Sequence, residues 1–201
     1  MWYWKNKLNI TQPTELARVD EKLSKDKAVL LYQTGYLEQF ASGTLDSLFA
    51  IHRYLFEDIY PFAGQRREIE AINGNFRNVP MMYLGVTLLT IEKMPQSTFD
   101  EIVEKFVEMH IAHPFLIGNG RSMRIWLNQI FQEELGQVVD WRLIAKQDYL
   151  MAMDRSPIKD IEIKYYLHQA LTDQVHDLDM YLEGIDQSYF YDGYDAYMVS
   201  E

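Results

Sequence analysis

His113-Pro114-Phe115-Leu116-Ile117-Gly118-Asn119-Gly120-Arg121-Ser122-Met123-Arg124 is the stretch whose reading decides the fold. Ile102, Phe106 and Met109 form an apolar stripe at helical spacing that runs up to His113. Pro114 ends it, because proline lacks the amide that the next turn requires. A second helix is expected to begin between Asn119 and Arg121 and to end at Gly136. Gly118-Asn119-Gly120 lies where the chain turns between the two. Glycines flanking a polar residue let backbone N–H groups converge on an anion. The N-terminus of the following helix adds orphan N–H donors and the positive end of a dipole. Arg121 and Arg124 are three apart, so both can face one ligand, and the guanidinium fork suits phosphate. The segment reads as a polyphosphate cradle. His113 stands at its edge, and an ordinary imidazole pKa of about 6.5 lets it take a proton from an attacking hydroxyl near neutral pH. A single His before Pro is more often structural, and a single Gly-Asn-Gly more often a plain turn. Here all of these residues serve one anion site.

Working outward, 201 residues are expected to form one domain, 1–201, with enough chain to bury a real core. Hydrophobic residues at 48% against 24% charged place it among globular chains. The absence of cysteine excludes a disulfide framework, thiol chemistry and a thiolate metal site. A net charge of −11 with no clustered Lys and Arg speaks against direct nucleic-acid binding, although it leaves room for a local basic pocket. Met1-Trp2-Tyr3-Trp4-Lys5-Asn6-Lys7 lacks the pattern of a signal peptide, and no apolar run is long enough to span a bilayer. The expectation is a cytoplasmic protein without a membrane partner.

The rest of the chain predicts an all-α fold. Leu16, Val19, Leu23 and Leu30 mark a helix over about 14–32, and Leu45, Leu48, Phe49, His52 and Leu55 another over about 44–57. Asn73-Gly74 is a tight-turn signal, so a small β-hairpin flap is expected within about 65–80. Pro80 opens a helix to about Met94, and Ser97-Thr98-Phe99-Asp100-Glu101 starts the next. Further helices are expected over about 140–153, from Pro157 to about Leu171, and over about 179–191. The tyrosine-rich stretch from Ser188 to Tyr197 is unusual for an exposed end and is expected to pack on something.

The His113–Arg124 string resembles the Fic signature, His-x-Phe-x-Asp/Glu-Gly-Asn-Gly-Arg-x-x-Arg, matching at His113, Phe115, Gly118, Asn119, Gly120, Arg121 and Arg124. The likeness extends over most of residues 15–195. It includes Ile51-His52-Arg53-Tyr54-Leu55-Phe56, Phe62-Ala63-Gly64-Gln65 and Met153-Asp154-Arg155-Ser156-Pro157. Ser188-Tyr189-Phe190-Tyr191-Asp192-Gly193 is similar to the inhibitory motif Ser/Thr-x-x-x-Glu-Gly/Asn of compact single-domain Fic proteins, whose last helix (here about 179–193) carries the inhibition.

The resemblance implies a helical bundle with the flap beside the active-site loop, and transfer of AMP from ATP to a Tyr, Ser or Thr hydroxyl of a target protein. His113 would be the general base. Gly118, Asn119, Gly120, Arg121, Ser122, Met123 and Arg124 would form the nucleotide site, together with Asn73 from the flap, Lys146, and Tyr189 against the adenine. Ser188, Asp192 and Gly193 would be regulatory, with the inhibitory carboxylate drawing Arg124 away from the γ-phosphate. A bacterial type II topoisomerase subunit is a target class the resemblance suggests, and compact members often self-associate into homo-oligomers.

Two departures bear on activity. Ile117 stands at the acidic position that anchors Mg²⁺ in the family, and isoleucine offers the ion no oxygen. Weak or absent transfer is therefore expected, since metal charge neutralisation contributes several kcal/mol, roughly, in such reactions. Asp192 replaces the inhibitory Glu and is one methylene shorter. A nucleotide-binding regulator without efficient transfer, or a related activity such as removal of AMP, remains open beside the adenylyltransferase reading. Gly120 argues against a Doc-like phosphotransferase.

Overall fold

The computed structural model describes residues 5–71 and 78–200. The helices, in order, are α1 (Pro13–Gln33), α2 (Leu45–Phe56), α3 (Met81–Glu92), α4 (Phe99–Ala112), α5 (Asn119–Leu135), α6 (Lys146–Arg155), α7 (Ile161–Gln169) and α8 (Leu178–Tyr191). Their ends follow local chemistry. Pro13 occupies the first turn of α1, where a missing N–H costs nothing. Thr98 and Glu101 form a reciprocal capping box at the start of α4, satisfying two orphan donors. Gly136 closes α5 with φ 65°.

Helix α5 is the axis of the core. Trp126, Leu127, Ile130 and Phe131 are fully buried on it, and few of its positions reach solvent, as expected of a helix enclosed on several sides. Leu48, Ile51, Leu55 and Phe56 of α2 and Ile102, Val103, Phe106 and Met109 of α4 belong to the same cluster. Each such side chain contributes about 1.5–3 kcal/mol by leaving water. The corner at His113–Gly118 thus leads directly into a deeply packed helix.

Two helices differ from expectation. The segment from 140 begins as a short 3-10 turn, Trp141–Leu143, because the Asp140 carboxylate accepts the Arg142 N–H at 3.1 Å, and α6 starts only at Lys146. Helix α7 ends at Gln169, because Leu171–Thr172 (β2) pairs antiparallel with Val138–Val139 (β1). This two-stranded ladder was not expected. The expected hairpin turn at Asn73 lies outside the described residues. Among the described residues, no helix is long and apolar enough to cross a membrane.

The tyrosine-rich end does pack. Tyr189 and Tyr191 are buried. Lys25 of α1 lies 3.0 Å from both Glu21 and Asp186. Glu21 accepts the N–H groups of Ala196 and Tyr197, and Asp186 accepts those of Val199 and Ser200. Residues 196–200 are thereby stitched across the seam between α1 and α8.

Candidate active site

Helix α4 ends at Ala112, and His113 takes the left-handed conformation, φ 50° and ψ 65°. That backbone costs a non-glycine residue roughly 1–2 kcal/mol, so its surroundings must hold it. The chain then turns through Pro114–Gly118. Asn119 braces this turn from inside: its Oδ1 accepts the Phe115 N–H at 2.9 Å and its Nδ2 donates to the Phe115 carbonyl at 2.7 Å. Its amide is thus committed to the loop. His52 braces the turn from α2. The Gly64 N–H donates to His52 Nδ1 at 2.8 Å, so Nε2 carries the ring proton and donates to the Ile117 carbonyl at 2.9 Å. The ring stacks on Phe115 at 3.8 Å, and burial lowers its pKa to about 3, which keeps it neutral.

The turn requires glycine at 118, and Gly120 leaves room above the first turn of α5. Gly118 has φ 74°, and a Cβ there would meet the Phe56 ring at 2.4 Å. A Cβ on Gly120 would lie 2.8 Å from Arg124 Nη1 and 2.9 Å from Asp192 Oδ1. The space above Gly120, at the N-terminus of α5, is therefore filled by a carboxylate from the end of α8.

That carboxylate holds Arg124 and faces Arg121. Arg124 Nη2 donates to Asp192 Oδ1 at 2.9 Å and to the Ser188 carbonyl at 2.7 Å. Its Nε donates to Ser188 Oγ at 2.7 Å and its Nη1 to Tyr149 at 3.3 Å. The shorter Asp192 side chain thus reaches its partner. Arg121 turns inward: Nη1 donates to Asp20 Oδ1 of α1 at 2.6 Å, and the guanidinium lies 4.6 Å from the Phe56 and Tyr194 ring centroids. Arg121 Nε is buried without a hydrogen-bond partner and faces Asp192 Oδ2 at 3.9 Å. Both arginines therefore address one anion, and that anion is the protein's own.

His113 lies beside this group. Burial, then the neighbouring His110 and Arg67, push its pKa down to about 4 against an opposing pull from Asp192. It is neutral at pH 7 and can accept a proton.

Residues 42–131 match the model of the Fic/DOC family. That segment, 90 of the 201 residues, is what the chain shares with the family. Over 168 residues it is 26% identical to a Salmonella typhimurium protein named Probable protein adenylyltransferase Fic, covering 78% of this chain and 81% of the relative. An Escherichia coli protein of the same name gives the same figures. The fold is that of the BepC protein of Bartonella tribocorum solved with bound AMPPNP, at a TM-score of 0.70 and 18% identity, covering 85% of this chain and 92% of that one.

The other residues expected around the Fic motif are placed as follows. Ser122 and Met123 are buried in the core, and Ser122 Oγ has no partner. Lys146 Nζ donates to the Phe190 carbonyl at 2.6 Å, on the last turn of α8. Tyr189 is buried against Arg121, at 5.1 Å, and not on an open face. Gly193 follows Asp192 with φ 90°. Asn73 lies outside the described residues. A cavity of about 800 Å³ lies beyond Arg124, lined by Asn128, Trp141, Tyr181 and Ser188 among others, but no residue of 113–120 reaches it. The space above the N-terminus of α5 is not an open cavity because the Asp192 carboxylate occupies it.

Magnesium does not fit the Fic loop of this chain. The Ile117 side chain packs on the core, and its carbonyl already accepts from His52. The nearby carboxylate, Asp192, is taken by Arg124. Position 117 therefore offers a metal no side-chain oxygen. Sequence reasoning missed Asp20, Arg67 and Tyr149, and saw His52 in an apolar stripe and in a family-like string without a role. Arg67 sits in a charged run, and Asp20 and Tyr149 stand far from the motif in sequence.

Proposed function

We propose that this chain is a protein adenylyltransferase restrained by its own last helix. The observation that carries the reading is that Arg121 and Arg124 address one carboxylate at the N-terminus of α5, beside a neutral His113. ATP takes the place of Asp192: its phosphates replace the carboxylate above Gly120, Arg124 exchanges Asp192 for phosphate oxygens, and Arg121 Nε gains an acceptor. A Tyr, Ser or Thr hydroxyl of the target attacks the α-phosphorus, the proton passes to His113, and pyrophosphate leaves with the electrons of the broken P–O bond. Relatives named as adenylyltransferases support this reading.

Ile117 favours a second reading, in which ATP binds but transfer is inefficient. One experiment separates the two. Labelled ATP and Mg²⁺ are incubated with the protein and a type II topoisomerase subunit or a lysate, in parallel with Asp192→Gly, Ile117→Glu and His113→Ala. Transfer that rises in Asp192→Gly and vanishes in His113→Ala supports the restrained enzyme. Binding without transfer, restored by Ile117→Glu, supports the second reading. No ATP binding by the parent, Asp192→Gly or Ile117→Glu overturns both.

A further inference from the structure

Arg67 lies in the irregular segment after Gly64, and its side chain is fully buried. A buried guanidinium normally meets a carboxylate. Here the nearest is Glu70, 3.8 Å away, with a side chain 62% exposed. The donors go to backbone carbonyls instead. Nε donates to His113 at 2.7 Å, Nη1 to Ile69 at 2.9 Å, and Nη2 to Val79 and, at 3.3 Å, to Ala112. The Arg67 N–H donates to the Pro114 carbonyl at 2.8 Å, and the Val79 N–H to the Ile111 carbonyl at 3.1 Å.

The last carbonyls of a helix have no donor within it, and positive charge is favoured at that end. Arg67 supplies both to α4, at the point where the left-handed His113 leaves it. The same guanidinium holds Ile69 and Val79, which flank residues 72–77, so one side chain joins three backbone segments. A capping role alone would need only the Ala112 and His113 carbonyls.

We propose that Arg67 is a positioning residue: by gripping the His113 carbonyl and the two segments that flank residues 72–77, it sets the aim of the His113 imidazole. This rests on His113 acting as the base. A guanidinium bonded in four directions leaves the corner one conformation, whereas an ammonium at the same place reaches fewer carbonyls.

The test compares the full-length parent with Arg67→Lys and Arg67→Met. The readouts are ATP affinity, AMP transfer and the NMR signals of the His113 imidazole, assigned by their loss in His113→Ala. ATP affinity should stay within about two-fold, because the hydrogen bonds of the Arg67 side chain go to His113, Ile69, Val79 and Ala112, outside α5, while the transfer rate in Arg67→Met should fall on the order of 100-fold, the scale expected of a base misplaced by an ångström. Arg67→Lys should recover part of that rate. The imidazole signals should shift in both variants and move back toward the parent in Arg67→Lys. Unchanged His113 signals in a folded Arg67→Met overturn the proposal. If Arg67→Met does not fold, parent-like signals in Arg67→Lys overturn it. The signals need neither nucleotide nor turnover, so a parent that neither binds nor transfers ATP counts against the adenylyltransferase reading alone.

Discussion

Asp20 and Asp192 each face an arginine of α5 from another helix, but they are bound differently. Asp20 is 1% exposed and accepts from Arg121, from Tyr60 at 2.7 Å and from Ser24 at 3.2 Å. Asp192 has a side chain 25% exposed, stands at the end of α8, and has Arg124 at 2.9 Å as its close ion partner. A buried carboxylate with its lone pairs filled cannot be exchanged without leaving charge stranded in a low-dielectric interior. A partly exposed carboxylate at a helix end can be displaced by another anion, because water screens it as it leaves. The α1 side of α5 is therefore structure, and the α8 side can be regulation.

Asp20→Asn tests the first half and should have the largest effect. Arg121 would keep its charge with only the more distant Asp192, 3.9 Å from its Nε, as a counter-ion, so the unfolding free energy should fall by about 3 kcal/mol. Urea denaturation measures this, and a loss below about 1 kcal/mol would erase the contrast between the two sides.

Asp192→Gly tests the second half. Arg124 is buried but retains Ser188 and Tyr149, and the loss of a partly exposed carboxylate lets water reach it, so stability should fall by about 1–2 kcal/mol, less than in Asp20→Asn. Nucleotide affinity should rise by about ten-fold, equivalent to ~1.4 kcal/mol. Calorimetry with ATP reads the affinity; a stability loss as large as that of Asp20→Asn would place both aspartates in the same class.

Acid should weaken both sides through the histidines that back the loop. His52 titrates at about 3, and His110 and His113 at about 4, with burial the leading cause in each. Unfolded imidazoles titrate at about 6.5. Between these values the unfolded chain binds more protons, so stability falls as pH drops from about 6.5 toward 4. The urea midpoint followed against pH should show this decline; a midpoint flat from pH 7 to 4.5 would contradict the neutral, buried state of these rings. Over the same range above pH 5, transfer should show no loss from protonation of His113.

Lys146→Ala should matter least. Its single strong bond, to the Phe190 carbonyl, is at the surface, so stability should move by no more than about 0.5 kcal/mol. A larger loss would make Lys146 part of what holds α8 and Asp192 in place.

Much of the fold was legible because its signals are local. Pro114, Gly118 and Gly136 bracket α5, and Thr98 with Glu101 starts α4, each through backbone chemistry within a few residues. The boundaries after 140 were missed because a pairing between Val138–Val139 and Leu171–Thr172, more than thirty residues apart, ends α7 early. Of the site, the glycine turn and the approach of both arginines to one anion followed from spacing. That Arg121 is also tied to Asp20, and that Tyr189 lies buried beneath it, did not.

By itself, the sequence determined the likeness to the Fic signature, the helical corner at His113, the glycine that the turn requires and the hydrocarbon at Ile117. These depend on backbone dihedrals and side-chain type, which neighbouring residues settle. Only the tertiary structure decided that Asp192 is long enough to reach Arg124, that His52 is a neutral brace with its proton on Nε2, and that Arg67 spends its donors on the His113 corner. Those facts depend on distances between segments far apart in the chain, set by how the helices pack around α5 and not by any short pattern of residues.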